Sequence, residues 1–297
     1  MKARVRDYNS LVRRLEALPP RVWNVRQVGE VWGYPWFFVE RRVGAGAPTV
    51  LLSGGIHGEE PGGVEGVLRW LEGDDWQKWR VNWFVMPCIN PYGWVRNQRA
   101  NAQRRDINRQ FRNTSAAPEA ELIKRLLKGR TFLFSIEFHE DVEASGYYLY
   151  ELRREPPFVG EKIVRAVEEV IPINPGRVID GRQATGRGLL RRDANPSALS
   201  RRQRWPMAYH LFLNAAGHVL GSETPVTVPL EQRARAHNVA LMTALTEIPG
   251  GKRLRKEDRA VSRFKASSTG WNSSVRRRNA ATIATVHFPL SHSFAAC

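Results

Sequence analysis

Residues 49–61 of this chain read TVLLSGGIHGEEP. The apolar run from Thr49 to Ser53 has the length of a buried strand, and the glycine pair behind it permits a tight loop. Proline at residue 61 is typical of the first turn of a helix, which the apolar pattern continues to Leu71. The stretch therefore predicts a strand, a sharp turn and a helix in direct succession.

Strand-like and helix-like patterns alternate along the chain as far as residue 245. This alternation predicts an α/β fold, with a mixed, largely parallel sheet and helices on both faces. In sheets of this kind, functional residues gather at the carboxyl ends of the strands. The predicted strands are 22–28, 36–39, 49–53, 81–86, 131–138, 147–152 and 216–222, and the predicted helices are 8–18, 61–71, 119–127, 158–170 and 230–245.

The positive charge of the chain is large and unevenly spread. The formal net charge is +17 over 297 residues, and residues 250–297 hold ten Lys or Arg against two acidic residues. We interpret residues 1–248 as one catalytic domain and residues 249–297 as a basic, poorly ordered tail. A basic arm that binds a polyanion is the alternative for the tail. No nucleic-acid motif accompanies the charge, which disfavours a nucleic-acid partner.

Cysteine usage and the terminal sequence bear on the compartment. Cys88 and Cys297 form neither a disulfide framework nor a cysteine-based zinc site. Residues 1–20 are charged throughout and lack the apolar core of a signal peptide. No stretch approaches the roughly 20 apolar residues that a membrane span needs. We therefore expect a cytoplasmic protein without membrane contact, and the sequence carries no signal for a particular oligomeric state.

Candidate metal ligands stand near the ends of two predicted strands. His57 and Glu60 lie three residues apart in the glycine-rich turn, which can aim both side chains at one ion. His139 follows the strand 131–138 and can reach the same edge of the sheet. Imidazole nitrogen and carboxylate oxygen suit zinc, and catalytic zinc sites use three protein ligands. The three residues therefore predict one Zn²⁺ ion, although the His-x-x-Glu pair alone is a weak signal.

Two further sets of polar residues follow predicted strands. One is a loop dense in arginine and asparagine that carries Arg99, Asn108 and Arg109, where a planar guanidinium suits a carboxylate or an oxyanion. The other is Glu223, a carboxylate placed to take a proton from water beside a metal. A solvated basic loop and a helix-capping acid are the plain structural alternatives.

Taken in order, these residues resemble the zinc metallocarboxypeptidase family. The resemblance covers residues 50–245, and the short spacing from Arg99 to Arg109 looks most like the bacterial branch that includes the murein peptide amidases. It implies an eight-stranded mixed sheet sandwiched by helices. The matching elements are His57-x-x-Glu60, Asn90-Pro91-Tyr92-Gly93, Arg99-x-Asn101, the run DINRQF at 106–111, His139 and Glu223-Thr224-Pro225.

The resemblance also implies a role for each candidate residue. A peptide or acyl amino acid with a free carboxylate is the implied substrate. Tyr92 stands where the family usually has aspartate, and no motif marks a substrate-facing tyrosine, for which Tyr209 is a candidate. The implied roles are zinc binding by His57, Glu60 and His139, general base for Glu223, oxyanion stabilisation by Arg99, and binding of the substrate carboxylate by Asn108, Arg109 and Arg99.

Three other functions stay open at this point. An N-acyl amino acid deacylase of the aspartoacylase or succinylglutamate desuccinylase type shares much of the same pattern. The Glu223-Thr224-Pro225 run and the spacing of Arg99 favour the peptidase. A binding protein that keeps the fold without activity is the second alternative, and a nucleic-acid binder that acts through the basic tail is the third.

Overall fold

In a computed structural model, the protein is described over residues 6–112, 117–192 and 195–250. Apart from Pro249 and Gly250, the tail predicted for 249–297 lies outside the described residues. The strands are β1 (Asn24–Val31), β2 (Tyr34–Arg41), β3 (Thr49–Gly54), β4 (Asn82–Met86), β5 (Phe134–Asp141), β6 (Tyr148–Arg153), β7 (Val178–Ile179), β8 (Arg182–Gln183), β9 (Leu189–Arg192) and β10 (His218–Pro225). The helices are α1 (Tyr8–Glu16), α2 (Pro61–Glu72), α3 (Pro91–Arg96), α4 (Pro118–Leu127), α5 (Gly160–Glu168), α6 (Pro196–Ser200), α7 (Met207–Asn214) and α8 (Leu230–Glu247).

The described residues form one eight-stranded sheet and one small hairpin. The sheet order is β1-β2-β4-β3-β5-β10-β6-β9, while β7 pairs only with β8. Strands β4, β3, β5 and β10 run parallel to one another, as do β6 and β9. The remaining three neighbouring pairs of the sheet are antiparallel. The predicted α/β fold with a mixed, largely parallel eight-stranded sheet is confirmed.

Helices cover both faces of this sheet, because successive residues of each buried strand point to opposite sides. Phe138 and Leu220 belong to the apolar cluster on the face covered by α1, α2, α5 and α8. Val219 and Leu152 belong to the cluster on the other face, which also takes residues of α4 and α7. Burying one side chain such as Phe138 stabilises the fold by roughly 1.5–3 kcal/mol.

Two strands extend further than the sequence pattern predicts. The parallel pairing of β10 with β5 continues to Pro225 opposite Asp141. His139 and Glu223 therefore lie within the paired part of β5 and β10, whereas the sequence pattern placed them just after the strands. Glu223 is paired with both neighbouring strands and His139 is paired with β10, which fixes their positions more firmly than a loop would.

Within the described part of the chain, no helix combines the length and the apolar character needed to cross a bilayer.

Candidate active site

The turn after β3 brings His57 and Glu60 to the carboxyl edge of the sheet. Gly55 adopts φ +67°, a conformation that glycine accepts without strain. A Cβ atom on Gly58 would lie 2.0 Å from the carbonyl carbon of Gly93, so this turn is pressed against the start of α3. The two glycines thus explain how the chain turns sharply enough to place His57 and Glu60 together.

His57, Glu60 and His139 converge in the buried floor of a cleft. The Nδ1 atom of His57 lies 2.5 Å from Glu60 Oε1, and the Nδ1 atom of His139 lies 2.9 Å from Glu60 Oε2. One ligand atom from each residue lies within 4.8 Å of the others. Two imidazole nitrogens and one carboxylate form the donor set of many hydrolytic zinc sites. The residues therefore fit a metal ion.

The outward-facing nitrogen of each imidazole lies near another carboxylate. His57 Nε2 is 3.4 Å from Asp106 Oδ1, and His139 Nε2 is 3.6 Å from Glu137 Oε2. These distances are longer than good hydrogen bonds, yet the charges are placed to favour a proton on Nε2. A proton on Nε2 leaves Nδ1 free to bind a metal, the arrangement seen around metal-bound histidines.

The same contacts determine how the pKa values of the two histidines and Glu60 are shifted in the metal-free cluster. Burial opposes the protonated form of both imidazoles, but neighbouring carboxylates raise the pKa of His57 and raise that of His139 further. Burial also opposes ionisation of Glu60, and the two histidines lower its pKa nevertheless. The buried carboxylate is thus stabilised by positive charge, which a metal cation supplies equally well.

Arg99 is fixed beside this cluster by its backbone and its side chain. Asn90 Nδ2 donates to the Arg99 carbonyl at 3.1 Å, and Arg99 Nε donates to Asp106 Oδ2 at 3.0 Å. The Nη1 atom of Arg99 lies 3.7 Å from Glu60 Oε1. The guanidinium therefore lies within reach of a group bound next to Glu60.

Asn108 and Arg109 follow Asp106 and also line the cleft. Asp106 Oδ1 accepts a hydrogen bond from the Asn108 backbone N–H, and Asn108 Oδ1 accepts one from the Met207 N–H at 2.8 Å. Arg109 is exposed, and its Nη1 atom donates to the Asn108 carbonyl at 2.8 Å. This loop presents a fixed amide beside a solvent-accessible cation.

Glu223 lies on β10 between His139 on β5 and Tyr148 on β6. It is the paired residue of His139 in the parallel ladder and of Tyr148 in the antiparallel one. Desolvation by the surrounding protein raises the pKa of Glu223 to about 7, against the opposing effect of His139. A carboxyl group with this pKa can both accept and release a proton near neutral pH.

Three site residues were not identified from the sequence: Glu137, Tyr148 and Tyr150. All three line the cleft, on the strands that also carry His139 or pair with Glu223. The alternation of side chains along a strand could have identified them, because residues two positions apart point to the same face of the sheet. Glu137 lies two positions before His139, and the two tyrosines lie two positions apart in a predicted strand. Tyr209, the sequence candidate, lies on α7 and lines the cleft as well.

The cleft has a volume of about 720 Å³ and contains every residue predicted for the site. Its far wall is the β7–β8 hairpin together with Arg202 and Arg204. Tyr150 Oη donates a hydrogen bond to Asp180 at the tip of the hairpin, which ties this wall to the sheet. A cleft of this size can hold a small ligand.

Comparison with known proteins agrees with this architecture. Residues 46–170 match the family described as the Succinylglutamate desuccinylase/Aspartoacylase catalytic domain. The matched segment holds every predicted site residue except Glu223 and the candidate Tyr209. No curated protein matches the sequence significantly.

Solved structures extend the comparison to most of the chain. A proposed metallopeptidase of Shewanella amazonensis is 24% identical, with 81% of this chain and 91% of that chain covered at a TM-score of 0.68. Carboxypeptidase A of Helicoverpa armigera is 13% identical, with 91% and 75% covered at a TM-score of 0.59. A metallo-carboxypeptidase of Burkholderia cenocepacia is 16% identical, with 80% and 67% covered at a TM-score of 0.57. At these identities the likeness shows the fold.

The fold and the matched catalytic domain confirm the resemblance to the zinc carboxypeptidase-like family. The predicted hydrolase agrees with the matched catalytic domain, and the metallocarboxypeptidase-like architecture agrees with the fold. The narrower likeness to the murein peptide amidases stays a prediction.

Proposed function

We propose that this protein is a zinc-dependent hydrolase that cleaves the amide bond next to a terminal carboxylate. The observation that carries the proposal is the convergence of His57, Glu60 and His139, with Glu223 paired directly beside His139. One Zn²⁺ ion would be held by the Nδ1 atoms of both histidines and by the Glu60 carboxylate. When bound there, it supplies Lewis-acid chemistry to the carbonyl group and to water.

The residues around the metal position divide the remaining chemistry. Glu223 takes a proton from the attacking water onto its carboxylate and later gives it to the leaving amine. Arg99, oriented by Asp106, stabilises the negative charge that develops on the carbonyl oxygen. Asn108 and Arg109 bind the terminal carboxylate of the substrate and so determine which amide bond lies next to Glu223.

A deacylase of N-acyl amino acids is the second candidate, because the matched family is that of succinylglutamate desuccinylase and aspartoacylase. Its substrate carries the same carboxylate next to the same kind of amide. Both candidates use the same residues in the same roles, and they differ in the group on the acyl side.

A substrate panel on the zinc-loaded protein tests both candidates. Short peptides with free carboxyl termini are compared with N-succinyl and N-acetyl amino acids, with a chelator as control. Glu223→Gln should retain zinc and lose turnover, whereas Glu143→Gln, an exposed carboxylate on the same cleft, should keep both. Full activity of Glu223→Gln would contradict the assignment of the base.

A further inference from the structure

The sheet under the cleft presents its side chains in rows, because residues 219–223 of β10 each face a partner on both neighbouring strands. The first row is His139, Glu223 and Tyr148. Two residues further into the cleft, the second row is Glu137, Gly221 and Tyr150, all of which line the cleft. At about 3.3 Å per residue, the second row lies roughly 6.6 Å from the first.

Glu137 in this second row is a buried carboxylate with unused bonding capacity. The residue is 3% exposed, and its Oε2 atom faces His139 Nε2 at 3.6 Å. Its Oε1 atom is buried and has no hydrogen-bond partner among the described residues. A buried carboxylate oxygen without a partner costs free energy, so the burial is explained best if a bound ligand supplies the missing donor.

The surroundings of Glu137 fit a cationic ligand on an aliphatic stem. The neighbouring position is Gly221, and a Cβ atom there would lie 3.3 Å from the Cβ atom of Tyr150, so the tyrosine lies close against this glycine. The third row contributes Val219 and Leu152, which are apolar and also line the cleft. An aromatic ring, a carboxylate and an apolar floor together suit an ammonium group at the end of a methylene chain.

We propose that Glu137 binds the side-chain ammonium group of the residue released by hydrolysis. The inference rests on the proposed function, since the scissile bond is taken to lie at Glu223. The two-residue separation of the rows matches the reach of a lysine-like side chain. Glu137 is thereby a specificity-determining residue in addition to facing His139.

Three arginines of the cleft, one of which lies beside Tyr150 of the second row, give the competing expectation. Arg182, Arg202 and Arg204 line the cleft, and an anionic side chain directed to them would be selected instead. Arg182 already lies 3.5 Å from Asp180, whereas Arg202 and Arg204 are exposed. A buried carboxylate lacking a donor favours a ligand more strongly than exposed guanidinium groups, which water satisfies.

The test compares peptide substrates that end in lysine, norleucine or glutamate. Norleucine matches the lysine stem without its charge. The wild-type protein should prefer lysine over norleucine by about tenfold or more in kcat/KM. In Glu137→Gln this ratio should fall close to one. Because the ratio compares two substrates in the same variant, it is independent of any general loss of activity that acts through His139. Glu143→Gln is the matched control and should keep the wild-type ratio.

Two results of this kinetic comparison would overturn the proposal. An equal loss on lysine and norleucine substrates in Glu137→Gln would mean that Glu137 serves His139 alone. A wild-type preference for glutamate would assign selection to the arginines.

A binding measurement tests the lysine subsite independently of the proposed hydrolase activity. Calorimetric titration of the zinc-loaded protein with free L-lysine and L-norleucine needs no turnover. Glu137-dependent binding of lysine in a protein that hydrolyses nothing would refute the hydrolase and retain the subsite, whereas equal binding of the two amino acids by the wild-type protein would refute the subsite.

Discussion

Glu223 and His139 are direct partners in the parallel ladder between β10 and β5. The proposed base and a proposed metal ligand therefore lie side by side on one face of the sheet, and the backbone of two buried strands sets their separation. A catalytic pair held by strands is positioned more precisely than a pair held by loops.

Arg99 and Arg109, which both follow α3, should affect different kinetic constants. Arg99 is placed to meet charge that develops during the reaction, so Arg99→Ala should lower kcat by about 100-fold or more. Arg109 is placed to hold a carboxylate already present in the substrate, so Arg109→Ala should mainly raise KM. Steady-state kinetics measure both. Arg105→Ala, at an exposed position of the same loop, is the control, and a pure KM effect at Arg99 would contradict its role.

Activity should rise with pH through the titration of Glu223. Its pKa is raised to about 7 by desolvation in the metal-free protein. A general base must be ionised, and a bound Zn²⁺ favours the ionised form, so the rising limb of kcat/KM should lie below that value. The pH profile of the zinc-loaded protein measures it. A profile without any rising limb, in the wild-type protein and in Glu143→Gln alike, would remove Glu223 as the base.

His237 should make the fold sensitive to acid. It is fully buried, hydrogen-bonded with Ser222 Oγ at 2.9 Å, and stacked on Phe138 with ring centroids 4.6 Å apart. Burial lowers its pKa from 6.5 to about 3. Between these values the unfolded chain binds more protons than the folded one, so the free energy of unfolding falls as the pH falls.

Urea unfolding at a series of pH values measures this effect. In His237→Gln the dependence of the unfolding free energy on pH should be shallower over that interval, because the titrating group is gone. An unchanged slope in the variant would show that other groups cause the acid sensitivity.

Close packing at Gly58 should make that position intolerant of any side chain. Gly58→Ala places a Cβ atom against the Gly93 backbone, which cannot rotate away, so the turn that carries His57 must shift. We expect a lower melting temperature and weaker zinc binding. Gly217→Ala is the matched control, because a Cβ atom there meets nothing within 4 Å. Equal zinc affinity in the two variants would contradict the positioning role of the turn.

Much of the fold and of the site's composition could be predicted from local patterns. The run at 49–61 contains its own strand, turn and helix signals, and the structure has them at Thr49–Gly54 and Pro61–Glu72. His57, Glu60, Arg99, Asn108, Arg109, His139 and Glu223 all line one cleft. Their roles stay predictions, since position alone does not assign chemistry.

The far wall and the floor of the cleft could not be predicted from local sequence patterns. The β7–β8 hairpin is too short to give a periodic signal. Helix α6 has only five residues, and α7 has the sequence MAYHLFLN, in which apolar residues show no clear helical spacing. The pairing of Glu223 with Tyr148 depends on the register between β10 and β6, which sequence neighbours do not encode. Glu137 could be recognised as a candidate binding residue only once the structure placed Gly221 and Tyr150 in the same row.

The most direct test of the account is crystallography of the zinc-loaded protein with anomalous data at the zinc absorption edge. The account predicts one anomalous peak coordinated by His57 Nδ1, His139 Nδ1 and a Glu60 carboxylate oxygen, at distances of about 2.0–2.2 Å. Full zinc occupancy at another position, with these three residues still bonded only to one another, would contradict it.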